Sequence, residues 1–312
     1  MDGGDRGVTA RAKRSTNDFR IEFDRLPSEV TRSAARERDA ERVLRVLASA
    51  GRGYVLNGSA LPPMVLVPLR GILRISDGEG MRALRAGQLM IAEAGQCVQV
   101  AGGSGALWVT VIAGSSLWRQ LLLTTSEAPI TEPVLLPAVH SANRAIRQAA
   151  IRLARAAARS GSDRSETICA VLRFATLLAE LQSAFDPMIR KCPGRTLAQR
   201  RGVFLRLQRV YNGMASTSAV ELGIRGFART ANYSICHFVR TFSAVYGETP
   251  YAVLVEHKLR RAFRLVSDTE LSITEVARAA GFEDRCAFAR SFKRRFGRTA
   301  TEVRSRAVAI AG

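Results

Sequence analysis

The C-terminal third of the chain repeats itself at a spacing of about fifty residues, and such a repeat restricts the fold to a unit that is built twice. Displaced by 50 positions, Cys236 meets Cys286, Phe238 meets Phe288, Arg240 meets Arg290, Phe242 meets Phe292, Gly247 meets Gly297 and Thr249 meets Thr299. Further upstream the displacement is 49, so that Ala228 meets Ala277, Arg229 meets Arg278, Ala231 meets Ala280 and Tyr233 meets Phe282. The one-residue slip falls between the two halves of the repeat, where a turn tolerates a change of length.

The local pattern says what the unit is. Phe288, Phe292 and Phe296 recur every four residues, which places three rings on one face of a helix. Asp284 stands where an N-cap belongs, and Gly281 where a preceding helix would close in a left-handed conformation. Upstream, Ile273, Val276, Ala277 and Ala280 form a second helical stripe. In the other copy Ser234 takes the cap position, and Asn232 takes that of Gly281, Asn being the next-best residue for a positive φ. Each unit therefore predicts a helix, a tight turn and a second helix, over 234–246 and 284–296 for the second helices. Two helix-turn-helix units in one chain point to two elements that enter DNA grooves.

Charge points to the same partner. The 312 residues carry 47 Lys and Arg against 27 Asp and Glu, a net charge of +20. Such an excess suits a polyanion, either nucleic acid or an anionic membrane surface. From residue 201 onward there are 19 basic and 9 acidic residues. The two predicted reading helices differ: 234–246 holds one Arg, whereas 284–296 holds four Arg and one Lys.

The residues 197–306 resemble the DNA-binding domain of the AraC/XylS family of bacterial transcription regulators. The resemblance is carried by "ITEVARAAGF", "CAFARSFKRRFG", Thr299, Val303 and Arg304 in the second unit, and by "FARTANYS", "HFVRTF", "GETPYAV" and "KLRRAFRLV" in the first. It departs at Ala300, where the family usually has proline, while Pro250 keeps that residue in the first copy. Ala300 is expected to loosen the start of the last helix without changing the fold. By position in the family motif, the base-facing side chains are expected to be Ile235, Cys236, Val239 and Arg240 in one unit and Arg285, Cys286, Ala289 and Arg290 in the other. Arg can grip guanine in a bidentate fork, and Val or Ala can touch a thymine methyl. For Lys293, Arg294, Arg295 and Arg298, phosphate contact is the expectation, with a solvated face as the alternative.

The N-terminal part reads differently. Residues 1–34 are expected to be a mobile tail, and "AARERDAERVLRVLASAG" an amphipathic helix with Ala40, Val43, Leu44 and Leu47 on one side. Between about 53 and 117, short apolar runs alternate with Gly, Pro, Asn and Asp, which predicts about seven strands and a small β-barrel or jelly roll. "SDGEG" marks a hairpin turn. "RGILRI", Gly87 and Gly95 resemble the cupin-like sensor domain of many AraC-type regulators, although Gln88, Glu93 and Val98 stand where the family often has Asp, Pro and His. Two apolar-striped helices are expected at about 138–159 and 166–184, either packing on the barrel or serving self-association. "FDPMIRKCPGRT" reads as a linker.

Several classes are disfavoured. The three histidines, His140, His237 and His257, leave residues 1–139 without one, which argues against a metal-dependent cupin enzyme. The five cysteines form no C-x-x-C and suit a reducing cytoplasm. The start of the chain lacks the apolar core of a signal peptide, and no apolar run approaches the length of a membrane span. The expectation is an α+β multidomain protein: tail 1–34, cupin-like sensor domain 35–187, linker 188–196, AraC-type domain 197–306 and C-terminal tail 307–312. It is expected to be a non-enzymatic, cytoplasmic, sequence-specific regulator without metal or cofactor. Its expected partners are double-stranded DNA, a small organic effector, a second copy of itself and, by family resemblance, RNA polymerase. The rival readings are an architectural DNA binder of low specificity and a ligand-binding protein that no longer binds DNA.

Overall fold

The computed structural model describes residues 19–26, 32–33, 42–50, 56–57, 62–76, 81–96, 98–103, 105–125, 134–159, 164–215 and 219–311. Cys97 and most of the "SDGEG" turn lie outside these residues, as does the first part of the predicted helix before residue 42.

The N-terminal part is a sheet region. Strands β1 (Arg20–Leu26), β3 (Val43–Ala50), β10 (Leu107–Ile112), β5 (Met64–Arg70), β8 (Gln88–Ala92) and β11 (Ala138–Ser141) form one sheet in that order. Strands β7 (Met81–Arg85), β6 (Ile72–Ser76) and β9 (Gln99–Gly102) form a smaller one, and β2 (Arg32–Ser33) pairs with β4 (Leu56–Asn57). The large sheet is covered on both faces. Leu47, Met64, Leu66, Met90 and Trp108 point toward Leu73, Ile75, Leu84 and Val100 of the small sheet. Their neighbours in the pleat, Leu44, Val46, Val65, Val67, Val109 and Val111, face a layer of helices: α1 (Ser115–Thr125), α2 (Arg144–Ala158) and α3 (Arg164–Ser183). A strand covered twice has no polar side, which is why β5 is buried at every position from Met64 to Pro68. The space between the sheets is closely filled. A Cβ added at Gly102 would lie 2.5 Å from the Trp108 ring, so that ring needs a glycine opposite it.

Five expectations are corrected here. Val43–Ala50 is a strand, antiparallel to β10 and parallel to β1, and not part of a helix. Its run of Val, Leu, Val and Leu fits either period over so few residues, and burial on both sheet faces decides it. Arg20–Leu26, placed in a tail, is the edge strand of the same sheet. The segment 138–141 pairs with β8, so the helix expected from residue 138 starts only at Arg144, capped by Asn143. The stretch read as a linker contains helix α4 (Asp186–Lys191), with Pro187 at its start and Ile189 buried. Past residue 306, the last helix continues to Ala311.

The rest is helical: α5 (Leu197–Gly213), α6 (Ala219–Thr230), α7 (Ile235–Tyr246), α8 (Pro250–Asp268), α9 (Ile273–Ala279), α10 (Arg285–Phe296) and α11 (Ala300–Ala311). Each repeat unit has its own core. Phe204, Leu207, Phe227, Phe238 and Phe242 build the first, and Val276, Ala277, Phe288 and Phe292 the second. Helix α8 serves both, placing Val253 and Leu254 in the first and Leu259, Ala262 and Val266 in the second.

The sheet region and the helices touch directly. Arg209 Nε of α5 donates to Glu93 Oε2 at 2.7 Å, Asn212 Nδ2 donates to the Pro137 carbonyl at 2.8 Å, and Leu136 is buried in the first helical core. Glu93 and its two companions, which depart from the family pattern, all have local uses. Glu93 holds α5, the Gln88 side chain accepts from Arg85 N and closes the β7–β8 turn, and Val98 is buried.

Candidate nucleic-acid interface

The two turns are built alike. Tyr233 N donates to Ala228 O and Asn232 N to Arg229 O; in the second unit Phe282 N donates to Ala277 O and Gly281 N to Arg278 O. This pair of bonds needs a positive φ at the closing residue, which is 58° at Asn232 and 88° at Gly281. After each turn a side chain caps the next helix. Ser234 Oγ accepts from His237 N at 3.4 Å, whereas Asp284 accepts from both Cys286 N at 2.9 Å and Ala287 N at 3.0 Å. Both helices end on a left-handed glycine, Gly247 or Gly297.

The rings fix each helix against its core. Phe238, Phe242, Phe288 and Phe292 are fully buried, while the opposite sides are open. Ile235 is 43% exposed. Cys236, Arg240, Arg285, Cys286, Ala289 and Arg290 are exposed as well, and Val239 is half-buried against the first core. Apart from Val239, the residues singled out from the sequence thus lie on the solvent side of α7 and α10. Lys293, Arg294 and Arg298 are also exposed.

Arg295 differs from them. Its Nε donates to Glu256 Oε2 at 2.6 Å and its second nitrogen to Glu256 Oε1 at 2.8 Å, a fork that ties α10 to α8. Glu256 also accepts from Arg260 Nε at 2.7 Å. Hydrogen bonding from Arg295 first, and from Arg260 after it, holds the Glu256 carboxyl below its ordinary range. Arg295 therefore braces α10 against α8 through Glu256. Spacing could not reveal this, because the partner lies 39 residues away.

The repeat also extends further than the sequence alone showed. Arg206 of α5 lies over the Tyr233 ring at 5.5 Å and donates to its hydroxyl at 3.1 Å. Lys258 of α8 lies over the Phe282 ring at 5.9 Å and donates to the Gly281 carbonyl at 2.7 Å. Each unit is thus three helices with a cation stacked on its turn, and α8 stands to the second unit as α5 does to the first.

Residues 227–306 match the family model of a helix-turn-helix domain. Over 86 residues the chain is 34% identical to the virulence regulon transcriptional activator VirF of Yersinia enterocolitica, covering 28% of this chain and 32% of that protein. This part of the chain is an AraC-type helix-turn-helix domain. Over 84 residues the AraC-type region is 32% identical to the HTH-type transcriptional regulator ExsA of Pseudomonas aeruginosa, covering 27% of this chain and 30% of the other. The chain spans about a third of the length of these relatives. Among solved structures, the AdpA DNA-binding domain in complex with target DNA is 26% identical, covering 33% of this chain and 94% of that one with a TM-score of 0.30. ToxT of Vibrio cholerae is 10% identical, covering 83% and 96% with a TM-score of 0.32.

The three histidines sit apart from one another. His140 touches Gln182 at 3.1 Å and Phe185, and His257 lies edge-on to Tyr211. Burial lowers both to a pKa of about 4, with the positive charge of Arg260 adding to the effect at His257. His237 is exposed beside Tyr233. Among the described residues, no three His, Cys, Asp or Glu side chains stand close enough to hold a metal, and no helix is long and apolar enough to cross a membrane.

Proposed function

We propose that the protein is a sequence-specific transcription regulator that binds double-stranded DNA through α7 and α10. The observation that carries this reading is the pair of capped, phenylalanine-anchored helices whose outer sides differ in chemistry: Ile235, Cys236, Val239 and Arg240 on one, Arg285, Cys286, Ala289 and Arg290 on the other. Identical outer sides would suit uniform backbone binding, whereas different ones suit two different half-sites. Helix α8, 19 residues and so about 28 Å long, is long enough to hold the two units toward successive major grooves. Lys293, Arg294 and Arg298 supply phosphate contacts.

In this reading the sheet region is a cupin-like sensor that controls the DNA-binding part through a small organic effector or through self-association. The proposed setting is the cytoplasm, with RNA polymerase as a further partner and no catalytic activity. The rival is an architectural binder. Competition between a selected duplex and scrambled DNA at one salt concentration separates the two. Regulation requires a specificity ratio of about a thousand or more, and a ratio near one would favour the architectural binder.

A further inference from the structure

Each reading helix is held at both of its ends by one neighbouring helix. In the second unit that neighbour is α8. At the entry to α10, Lys258 Nζ donates to the Gly281 carbonyl at 2.7 Å and lies over the Phe282 ring at 5.9 Å. At the exit, the Glu256 carboxylate accepts the Arg295 fork at 2.6 and 2.8 Å. In the first unit the neighbour is α5. At the entry to α7, Arg206 lies over the Tyr233 ring at 5.5 Å and donates to its hydroxyl at 3.1 Å. At the exit, the Tyr246 hydroxyl donates to Gln208 Oε1 at 2.9 Å. The holding residues stand two positions apart in both cases, 206 and 208 on α5, 256 and 258 on α8.

The phenylalanines do not supply this. Phe288 and Phe292 seat α10 on its core, as Phe238 and Phe242 seat α7, but apolar burial is non-directional. A hydrogen bond weakens steeply away from its axis, so two of them at opposite ends fix the tilt of a helix about its aromatic anchor. Base reading needs a fixed tilt. A bidentate contact to a base edge is itself a pair of directional bonds, and a site left about 1 Å too loose loses it. Arg285 and Cys286 lie in the first turn of α10, close in the chain to the Gly281 hold.

We infer that Arg206 and Gln208 on α5, and Glu256 and Lys258 on α8, are positioning residues for base reading. They act through the turn and the helix end, and set the angle at which the outer sides of α7 and α10 meet the groove. This rests on the proposed DNA reading and adds to it residues that determine specificity from behind the reading face.

The test is selection from random duplex DNA by the full-length protein, followed by affinities for the selected and a scrambled duplex at one salt concentration. Lys258→Met and Arg206→Met keep an unbranched stem and remove the entry bond. Lys258→Met is expected to lower the ratio of selected to scrambled affinity by about tenfold, relaxing only the half-site that Arg290→Ala relaxes. Arg206→Met should do the same in the half that Arg240→Ala relaxes. Affinity for the scrambled duplex should stay within about twofold of the parent, because phosphate contacts are untouched. Lys258→Arg, which still carries a donor to the carbonyl, should restore the ratio. Should a methionine variant not fold, Tyr246→Phe removes a single hydroxyl from the exit of α7 and is expected to relax the same half as Arg206→Met. Equal loss on both duplexes, as a merely structural role predicts, an unchanged ratio in the folded variants, or no rescue by Lys258→Arg would overturn the inference. A parent that enriches no site would overturn the DNA reading together with it, whereas a parent that enriches one site beside unrelaxed variants overturns the inference alone.

Discussion

Arg294 and Arg295 are neighbours in sequence with different roles. Arg294 is exposed, while Arg295 is forked onto Glu256. Arg294→Ala is expected to weaken binding to every duplex about equally and to reduce the salt slope by about one unit. Arg295→Ala should instead lower the thermal midpoint and leave the salt slope close to that of the parent. Measuring affinity at four salt concentrations for both variants checks this, and a full-unit loss of slope for Arg295→Ala would return it to the phosphate contacts. The two buried histidines, His140 and His257, make a second residue-scale prediction. Their folded pKa, about 4, lies below the unfolded value of about 6.5, so the unfolded chain takes up protons first as pH falls. The stability they permit is intact above pH 6.5 and is lost on the way down to 4. Around His257 this involves Arg82, Arg260, Arg264 and Glu256 as charged neighbours. Unfolding free energies from urea titrations at pH 7.5 and 5.0 should differ by about 1–2 kcal/mol for each of these two histidines, and His257→Gln should reduce that difference. What the sequence left hidden at this scale is pairing across distance. Glu256, Lys258 and Arg206 act on residues 23 to 39 positions away, and no local pattern marks them.

The elements of the helical part were legible because each carries its own signals: Ser234 and Asp284 as caps, Gly247 and Gly297 as stops, and phenylalanine every fourth residue. Ala300, where the family has proline, still starts a helix, because Thr299 Oγ accepts from Glu302 N while Glu302 Oε2 accepts from Thr299 N. That box supplies locally what a proline would have supplied. The turns give a prediction of their own. Gly281→Ala forces a side chain into a φ of 88° and is expected to cost about 1 kcal/mol, whereas Asn232→Gly should be neutral to within a few tenths. Denaturant midpoints check both. Equal costs would mean that φ is not what the two positions share. The sheet region was less legible for a physical reason. Its large sheet is buried on both faces, so β3 and β5 lack the alternation that distinguishes a strand from a short helix. The antiparallel pairing of β6 and β7 around the "SDGEG" signal, by contrast, was readable from turn residues.

At the scale of the whole molecule, the net charge of +20 and the basic outer side of α10 should make DNA binding steeply salt-dependent, with a slope of about −4 to −8 in log affinity against log salt. A slope shallower than about −2 would contradict a phosphate-anchored mode. Composition points to that proposed partner but not to the contact between the two halves, because the Glu93–Arg209 bridge joins segments more than a hundred residues apart. The central claim is that both helices read bases. The most direct measurement is selection from random duplex DNA with the full-length protein and with Arg240→Ala and Arg290→Ala in parallel. The account predicts one enriched site with two unlike halves about one helical turn apart, and a preference relaxed at one or two base pairs in a different half for each variant. Enrichment of the same site, unchanged in every position, by the parent and both variants would contradict it.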